Sequence, residues 1–195
     1  MNTTLEYYNH HASDFAGATC NVDFLNIQVR FQRKLSPSAR ILDFGCGSGR
    51  DTKYFLSQGY LVDAVDGSEA MCRLAGEHTG MPVRRMLFQE LSAENLYDGI
   101  WACSSILHLP YVELREVLTK MSRALKADGI VYTSFKYGTF EGERNGRYFT
   151  DMTEGKLKKL LSETAVFHVE EQWVSADVRP GREDERWLNI ILRKI

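Results

Sequence analysis

Residues 40–49 form an apolar run that ends in three glycines at alternate positions, Gly45, Gly47 and Gly49. A residue without a Cβ atom lets a ligand lie directly against the main chain. A strand that leads through such a loop into a helix is typical of α/β folds, in which ligands bind at the carboxyl ends of parallel strands. The loop therefore predicts both an architecture and the position of a ligand site.

The residues beside this loop indicate which ligand it binds. Asp43 lies just before the first glycine, where a carboxylate would repel a pyrophosphate but suits an ammonium or a sulfonium group. Arg50 stands where the dinucleotide fingerprint G-x-G-x-x-G/A has a small residue. These two residues favour S-adenosylmethionine (SAM) over a nicotinamide dinucleotide as the cofactor.

A second acid supports that choice. Asp66 ends the next predicted strand, at the distance from the loop where a carboxylate accepts hydrogen bonds from both ribose hydroxyls. Its alternative role is that of a turn residue, and the rival acid Asp63 falls inside the apolar run 61–65. Met71 follows one turn into the next helix, where its thioether can pack on an adenine face or simply fill the core.

The order of apolar patterns predicts an α/β protein with a parallel sheet. Between 136 and 152 lies a polar, glycine-rich stretch that we interpret as an active-site loop, and the last two strands have no helix between them, which predicts an antiparallel hairpin. We expect one domain, with 1–36 as an N-terminal helical lid and 37–195 as the core. The predicted helices are 2–16, 22–35, 51–58, 68–77, 111–125 and 153–163, and the predicted strands are 40–44, 60–65, 83–88, 99–103, 130–135, 166–174 and 187–193.

Composition excludes several classes of protein. A net charge of -2 over 195 residues argues against a nucleic-acid-binding surface. The sequence has neither a signal peptide nor an apolar run long enough for a membrane span, so we expect a cytoplasmic monomer or homodimer. Its four cysteines form no C-x-x-C pair, which predicts neither a disulfide framework nor a bound metal.

Four segments resemble, in the correct order, the motifs of class I SAM-dependent methyltransferases. The resemblance implies a Rossmann-like fold with a seven-stranded, mostly parallel sheet of order 3-2-1-4-5-7-6, strand 7 antiparallel, and helices on both faces. The wider pattern is similar to small bacterial methyltransferases, some of them of a tellurite-resistance type. The four segments are LDFGCGSGRD, AVDGSEAM, YDGIWACSSILHLP and LKADGIVYTSFK.

The resemblance also implies which residues contact SAM and its product, S-adenosylhomocysteine (SAH). After the third strand either Gln89 or Glu90 meets the adenine amino group. The other implied contacts are Asp43, Gly45, Cys46, Gly47, Asp66, Gly67, Ser68, Met71, Cys103 and Ser104.

Methyl transfer from SAM needs mainly proximity and alignment, because the sulfonium already supplies the electrophile. His108, after the fourth strand, is the candidate general base, and its alternative role is that of a hydrogen-bonded pocket or helix-entry histidine. Arginines and aromatics near it suit an anionic or planar acceptor, although they are equally consistent with solvated loop charge. The candidate acceptor contacts are Tyr7, His108, Lys136, Arg144, Arg147, Tyr148 and Arg179.

The sequence thus predicts SAM-dependent methyl transfer to a small, polar or anionic molecule. A SAM-binding sensor or partner subunit without catalysis is the first alternative, because the reaction demands no diagnostic residue. A nicotinamide-dependent oxidoreductase is the second, and Asp43 and Arg50 disfavour it.

Overall fold

The computed structural model of the chain describes residues 3–179, 181–182 and 184–195. Nine strands and seven α-helices alternate along this part of the chain. The strands are β1 Arg40–Phe44, β2 Leu61–Asp66, β3 Arg84–Arg85, β4 Tyr97–Ala102, β5 Leu125–Lys136, β6 Glu141–Arg144, β7 Arg147–Thr150, β8 Phe167–Ala176 and β9 Arg186–Lys194. The helices are α1 Thr3–His10, α2 Ala12–Thr19, α3 Leu25–Gln32, α4 Arg50–Ser57, α5 Glu69–Thr79, α6 Tyr111–Ala124 and α7 Glu154–Thr164.

Seven strands form one sheet in the order β3-β2-β1-β4-β5-β9-β8. The pairs from β3 to β5 are parallel, whereas β9 runs antiparallel to both β5 and β8. When these seven strands are counted among themselves, the order is 3-2-1-4-5-7-6 with an antiparallel seventh strand. The predicted fold class and the terminal hairpin are confirmed.

Alternate residues of the central strands feed two apolar cores, one on each face of the sheet. On one face Trp101 of β4 stacks on Tyr132 of β5, with ring centroids 4.2 Å apart, and Phe31 of α3 and Phe55 of α4 pack against Trp101. On the other face Ile100 and Val131 belong to a core that α6 and α7 cover. Helices on both faces explain why the central strands read as continuous apolar runs.

Two predicted elements differ from the structure. The single helix 2–16 is two helices, α1 and α2, with a break at His11, and its first residue lies outside the described residues. The loop 136–152 contains the β6–β7 hairpin, in which Asn145 and Gly146 have φ angles of +53° and +74°. An Asn-Gly pair with two positive φ angles is the preferred two-residue hairpin turn. The pair therefore indicated a hairpin in the sequence, although the polar residues around it favoured a loop.

The remaining elements lie within a few residues of their predicted bounds, apart from the third strand. That strand comprises only Arg84–Arg85, and the end of the predicted segment belongs to a 3-10 turn at Phe88–Glu90. In the described part of the chain, no helix is long and apolar enough to cross a membrane.

Candidate cofactor and acceptor site

One cavity of about 230 Å³ lies at the carboxyl ends of the central parallel strands, beneath α1. It has a cofactor half, walled by the loops after β1 and β2 and the start of α5. It also has an acceptor half, walled by α1, the β6–β7 hairpin and the loop before β9. Most predicted site residues line it, although their contact with ligands stays a prediction. They are Gly45, Cys46, Gly47, Asp66, Gly67, Met71, Gln89, Cys103, Ser104, His108, Lys136, Arg147 and Arg179.

The glycine loop is shaped by contacts within the protein as well as by the cavity. Gly45 has a φ angle of +87°, and a Cβ atom there would lie 2.5 Å from the Cβ of Ser105. At Gly49, with φ of +77°, a Cβ atom would meet the Thr79 methyl group at 2.8 Å. Both glycines therefore serve close packing, whereas Gly47 presents its bare main chain to the cavity near the ring of Phe15.

Asp66 ends β2 at the wall of the cofactor half. One carboxylate oxygen accepts a hydrogen bond from the main-chain N–H of Gly47 (3.0 Å), and the other accepts one from Ser68 (2.9 Å). Desolvation raises the pKa of Asp66, and these N–H groups oppose the rise. Among the residues that the structure describes, no Lys, Arg or His forms an ion pair with it. Asp63, by contrast, is paired with Arg40 at 2.8 Å.

Asp43 is not among the residues that line the cavity, and its contact with the methionine moiety stays a prediction. The side chain is 2% exposed beneath the loop, and its carboxylate accepts a hydrogen bond from the Thr52 hydroxyl of α4 at 2.5 Å. Burial and the neighbouring Asp51 raise the pKa of Asp43, because both disfavour its charged form. The strand direction turns the carboxylate of Asp43 toward α4 rather than toward the ligand space.

Side chains at the adenine end divide into those that face the cavity and those that serve the fold. Met71 and Gln89 line the cavity. Glu90 accepts a hydrogen bond from the main-chain N–H of Leu87 at 2.7 Å, and the Gln89 amide donates one to Glu113 at 2.5 Å. Of the two, Gln89 lines the cavity, and contact of either with adenine stays a prediction. Ser68 is fully buried and caps α5 through the N–H of Met71, so it shapes the wall without lining it.

After β4, Cys103 and Ser104 form the wall between the two halves. The Ser104 main-chain N–H donates to the hydroxyl of Ser134 at 3.0 Å, with Ser104 in a left-handed conformation (φ +50°). Burial raises the pKa of Cys103 to about 12, so its thiol is protonated and is no nucleophile at neutral pH.

The roof of the cavity is α1, which is attached at both ends. On the acceptor side, the Thr4 hydroxyl accepts a hydrogen bond from the main-chain N–H of Tyr148 at 2.9 Å. On the cofactor side, Asn9 accepts one from the Ser68 hydroxyl at 2.6 Å, and Leu5 covers Gly67. The helix thus joins the start of α5 to the β6–β7 hairpin across the opening.

His108 holds hydrogen bonds at both ring nitrogens. Nδ1 lies 2.6 Å from the main-chain oxygen of Tyr148, and Nε2 lies 2.9 Å from the Tyr8 hydroxyl. Because a carbonyl oxygen only accepts, Nδ1 carries the proton and Nε2 accepts from Tyr8. Burial lowers the pKa of His108 to about 4, the bond to Tyr148 opposes this, and nearby Arg147 lowers the pKa further. The ring is neutral at physiological pH and has no free nitrogen for a substrate proton.

The predicted acceptor contacts differ in their surroundings. Arg147 lines the cavity, and its guanidinium lies 4.4 Å from the ring centroid of Tyr7. Tyr7 itself stacks on His11 outside the cavity wall, at 4.3 Å between ring centroids. Tyr148 turns its hydroxyl to Glu141, which accepts the hydrogen bond at 3.3 Å.

Three predicted basic contacts are paired with acids. Arg144 is turned away from the cavity and pairs with Asp151 at 2.8 Å. Lys136 and Arg179 line the cavity, but each also has a carboxylate partner.

Sequence reasoning missed several residues of the wall. Tyr8 is the foremost, because it lies one helical turn after Thr4 on the face of α1 that covers the cavity, while Tyr7 points elsewhere. The i, i+4 spacing shows that Thr4 and Tyr8 lie on the same face of a helix. It does not show that this face covers the cavity, which depends on how α1 packs. The other missed residues include Phe15, Phe24, Arg50, Asp51, Ser134, Trp187 and Asn189.

Comparison with known proteins shows what this chain is similar to. A family model described as a methyltransferase domain matches residues 41–129. An uncharacterized methyltransferase of Staphylococcus carnosus is 23% identical over 146 residues, which are 69% of this chain and 70% of that protein.

Solved structures share the fold across almost the whole chain. The 1,6-didemethyltoxoflavin-N1-methyltransferase of Burkholderia thailandensis, with 1,6-didemethyltoxoflavin and SAH bound, superposes with a TM-score of 0.76 at 24% identity, over 97% of this chain and 84% of that one. A TehB-like SAM-dependent methyltransferase of Corynebacterium glutamicum superposes with a TM-score of 0.70 at 19% identity, over 98% of each chain.

The sheet order, the glycine loop and the family match agree with one another. Residues 41–129 are matched as a methyltransferase domain, and the chain has the fold of SAM-dependent methyltransferases, which use SAM and produce SAH. The predicted cofactor is therefore confirmed.

Proposed function

We propose that this enzyme transfers the methyl group of SAM to a small, polar or anionic molecule held in the acceptor half of the cavity. The observation that carries the proposal is the distribution of unpaired charge. Asp66 in the cofactor half and Arg147 in the acceptor half both line one continuous cavity, and neither forms an ion pair with any described residue. One charge suits a ribose diol, and the other suits a polar or anionic acceptor.

The cofactor would lie along the ends of β1 and β2. Asp66 would accept hydrogen bonds from the ribose hydroxyls, because its two oxygens already point away from the strand toward the loop N–H groups. Met71 would pack on the adenine, and Gln89 would meet its edge. The main chain from Gly45 to Gly47 would flank the methionine moiety, with Asp43 buried behind this loop.

A small acceptor is supported by the roof over the site. The segment 3–36 would act as a lid, since α1 covers the cavity and is hydrogen-bonded to both of its walls. The related Burkholderia enzyme holds 1,6-didemethyltoxoflavin beside SAH, which supports two adjoining ligand spaces in this fold. Catalysis would come from alignment of the acceptor with the methyl group in a closed site.

Calorimetry tests the cofactor assignment. We expect the protein to bind SAH and not NAD, and we expect Asp66→Ala to weaken SAH binding about 10- to 100-fold, the effect of losing hydrogen bonds to a charged group. Asp66→Asn retains one acceptor oxygen and should weaken it less. Asp63→Ala removes a nearby acid that is paired with Arg40 and should change SAH affinity little.

Turnover separates an enzyme from a binding protein. SAH should accumulate when the protein is incubated with SAM and a mixture of small organic acids, phenols and heterocycles. Failure to bind SAH would contradict the proposed cofactor. SAH binding without turnover of any small molecule would favour a non-catalytic SAM sensor.

A further inference from the structure

Every basic side chain that lines the acceptor half has a carboxylate partner except one, within residues 3–179, 181–182 and 184–195. Three of the four basic groups there face a carboxylate. The fourth, Arg147, has no acidic partner in that part of the chain. The pairs are Lys136 with Glu185, Arg179 with Asp177 at 2.5 Å, and Arg182 with Glu185 at 3.5 Å.

Arg147 is also incompletely hydrogen-bonded. Its Nε atom is buried and has no hydrogen-bond partner among the described residues. One terminal nitrogen reaches the Tyr8 hydroxyl at a long 3.4 Å, and the rest of the group lies against the rings of Tyr7 and Phe149, at 4.4 and 5.2 Å from their centroids. A charged group that keeps a buried donor without a partner favours a site that an anion completes.

The shape of the surroundings restricts that anion further. Tyr8, Phe149 and Trp187 line the same half of the cavity, and Tyr8 and Phe149 contact the ring of His108 edge to face, at 5.5 and 4.8 Å between centroids. Several aromatic side chains around one space favour a flat ligand that can pack against their rings. The fork of an arginine, in turn, matches the two oxygens of a planar carboxylate or of a related delocalised anion.

The hydrogen bonds of His108 bear on the chemistry. Its Nε2 already accepts from Tyr8 and its Nδ1 donates to Tyr148, so neither nitrogen is available to remove a proton from the acceptor. Burial of the ring makes it a weak base as well. An acceptor group that has to lose its proton before it attacks must therefore arrive deprotonated, because His108 cannot remove that proton.

We propose that the acceptor is a planar organic anion whose charge is held by Arg147, and that His108 is a positioning residue for Tyr8 and the roof rather than a general base. This inference rests on the proposed function and narrows its substrate class. An atom that shares the negative charge of the acceptor forms a bond to the methyl carbon, while the S–CH₃ bond of SAM breaks and its electron pair stays on sulfur. The positive charge of the sulfonium and the negative charge of the acceptor cancel, and no proton moves. The neutral product is then no longer attracted to Arg147.

Binding of a matched pair of probes tests this without knowledge of the natural acceptor. Benzoate and benzamide have the same flat shape, and only benzoate is charged. With SAH present, we expect benzoate to raise the Tm of the wild-type protein by a few degrees and benzamide to have no such effect. Arg147→Gln should raise the apparent Kd for benzoate at least about tenfold, and Arg147→Lys, which keeps the charge without the fork, should have an intermediate effect.

Arg144→Gln is the control, because it removes the same residue type from the same hairpin but outside the cavity. Each shift is measured against the SAH-bound state of the same variant, and a shift with SAH alone shows that the variant is folded and binds cofactor. The control should keep the response to benzoate. Equal responses to the two probes, no response to benzoate, or a full response in Arg147→Gln would each overturn the inference while leaving SAH binding, and with it the proposed function, intact.

Discussion

The two halves of the cavity are built in different ways. The cofactor half is made mainly of segments close in sequence, since the loop after β1 and the turn after β2 supply main-chain groups and one acid within about twenty-five residues of sequence. The acceptor half is made of side chains from α1, the β6–β7 hairpin and the loop before β9, which are far apart in sequence. Local geometry therefore fixes the cofactor half, whereas tertiary packing creates the acceptor half.

The largest expected effect tests how rigidly the cofactor half is built. Gly45→Ala adds a Cβ atom 2.5 Å from that of Ser105 to a residue with φ of +87°, so we expect it to lower the free energy of unfolding by about 4 kcal/mol. Urea denaturation measures this. Gly59→Ala is the control, because its φ is +83° but a Cβ atom there meets open space, and it should cost only about 1 kcal/mol. Equal losses of unfolding free energy would mean that strain in φ, and not packing of the loop, explains the effect of Gly45→Ala.

An effect of intermediate size tests the acceptor half. Burial lowers the pKa of His108 from 6.5 to about 4, so the native state binds fewer protons than the unfolded state between these values. The stability that this contributes, about 3 kcal/mol, is fully present above pH 6.5 and is lost as the pH falls toward 4. Urea titrations at several pH values should show a shallower acid loss in His108→Gln than in the wild type.

His168→Gln provides the matched control, since it removes an exposed histidine on β8 at a distance from the cavity. We expect its acid dependence to follow the wild type. If His108→Gln loses stability with acid as steeply as the wild-type protein, the ring is not held neutral by its surroundings, and the argument against a histidine base fails.

Sequence reasoning succeeded where a residue's role depends on its neighbours in the chain. Asp66 ends a strand and precedes a helix, so its position at the carboxyl edge of the sheet follows from spacing alone. Asp43 shows the limit of that reasoning, because its distance from the loop is right but the side chain turns to Thr52 beneath it. The direction of a side chain at a strand end depends on the helix packed behind it, which spacing does not reveal.

In the acceptor half, sequence spacing could not show which of two nearby residues faces the cavity. Tyr7 and Tyr8 are adjacent on α1, and only the docking of that helix decides that Tyr8 enters the cavity. Arg144 and Arg147 likewise flank one turn, yet Asp151 takes the first and leaves the second unpaired. The hairpin that presents both arginines was predicted as a loop, so their different directions could not be anticipated.

The division of the cavity into a half for the cofactor and a half for an anion is tested most directly by titrating SAH into Asp66→Ala and Arg147→Gln under the same conditions. The two variants remove the two unpaired charges of one cavity. We expect Asp66→Ala to raise the Kd for SAH about 10- to 100-fold and Arg147→Gln to leave it within about twofold of the wild-type value. A comparable loss of SAH affinity in both variants would contradict the division.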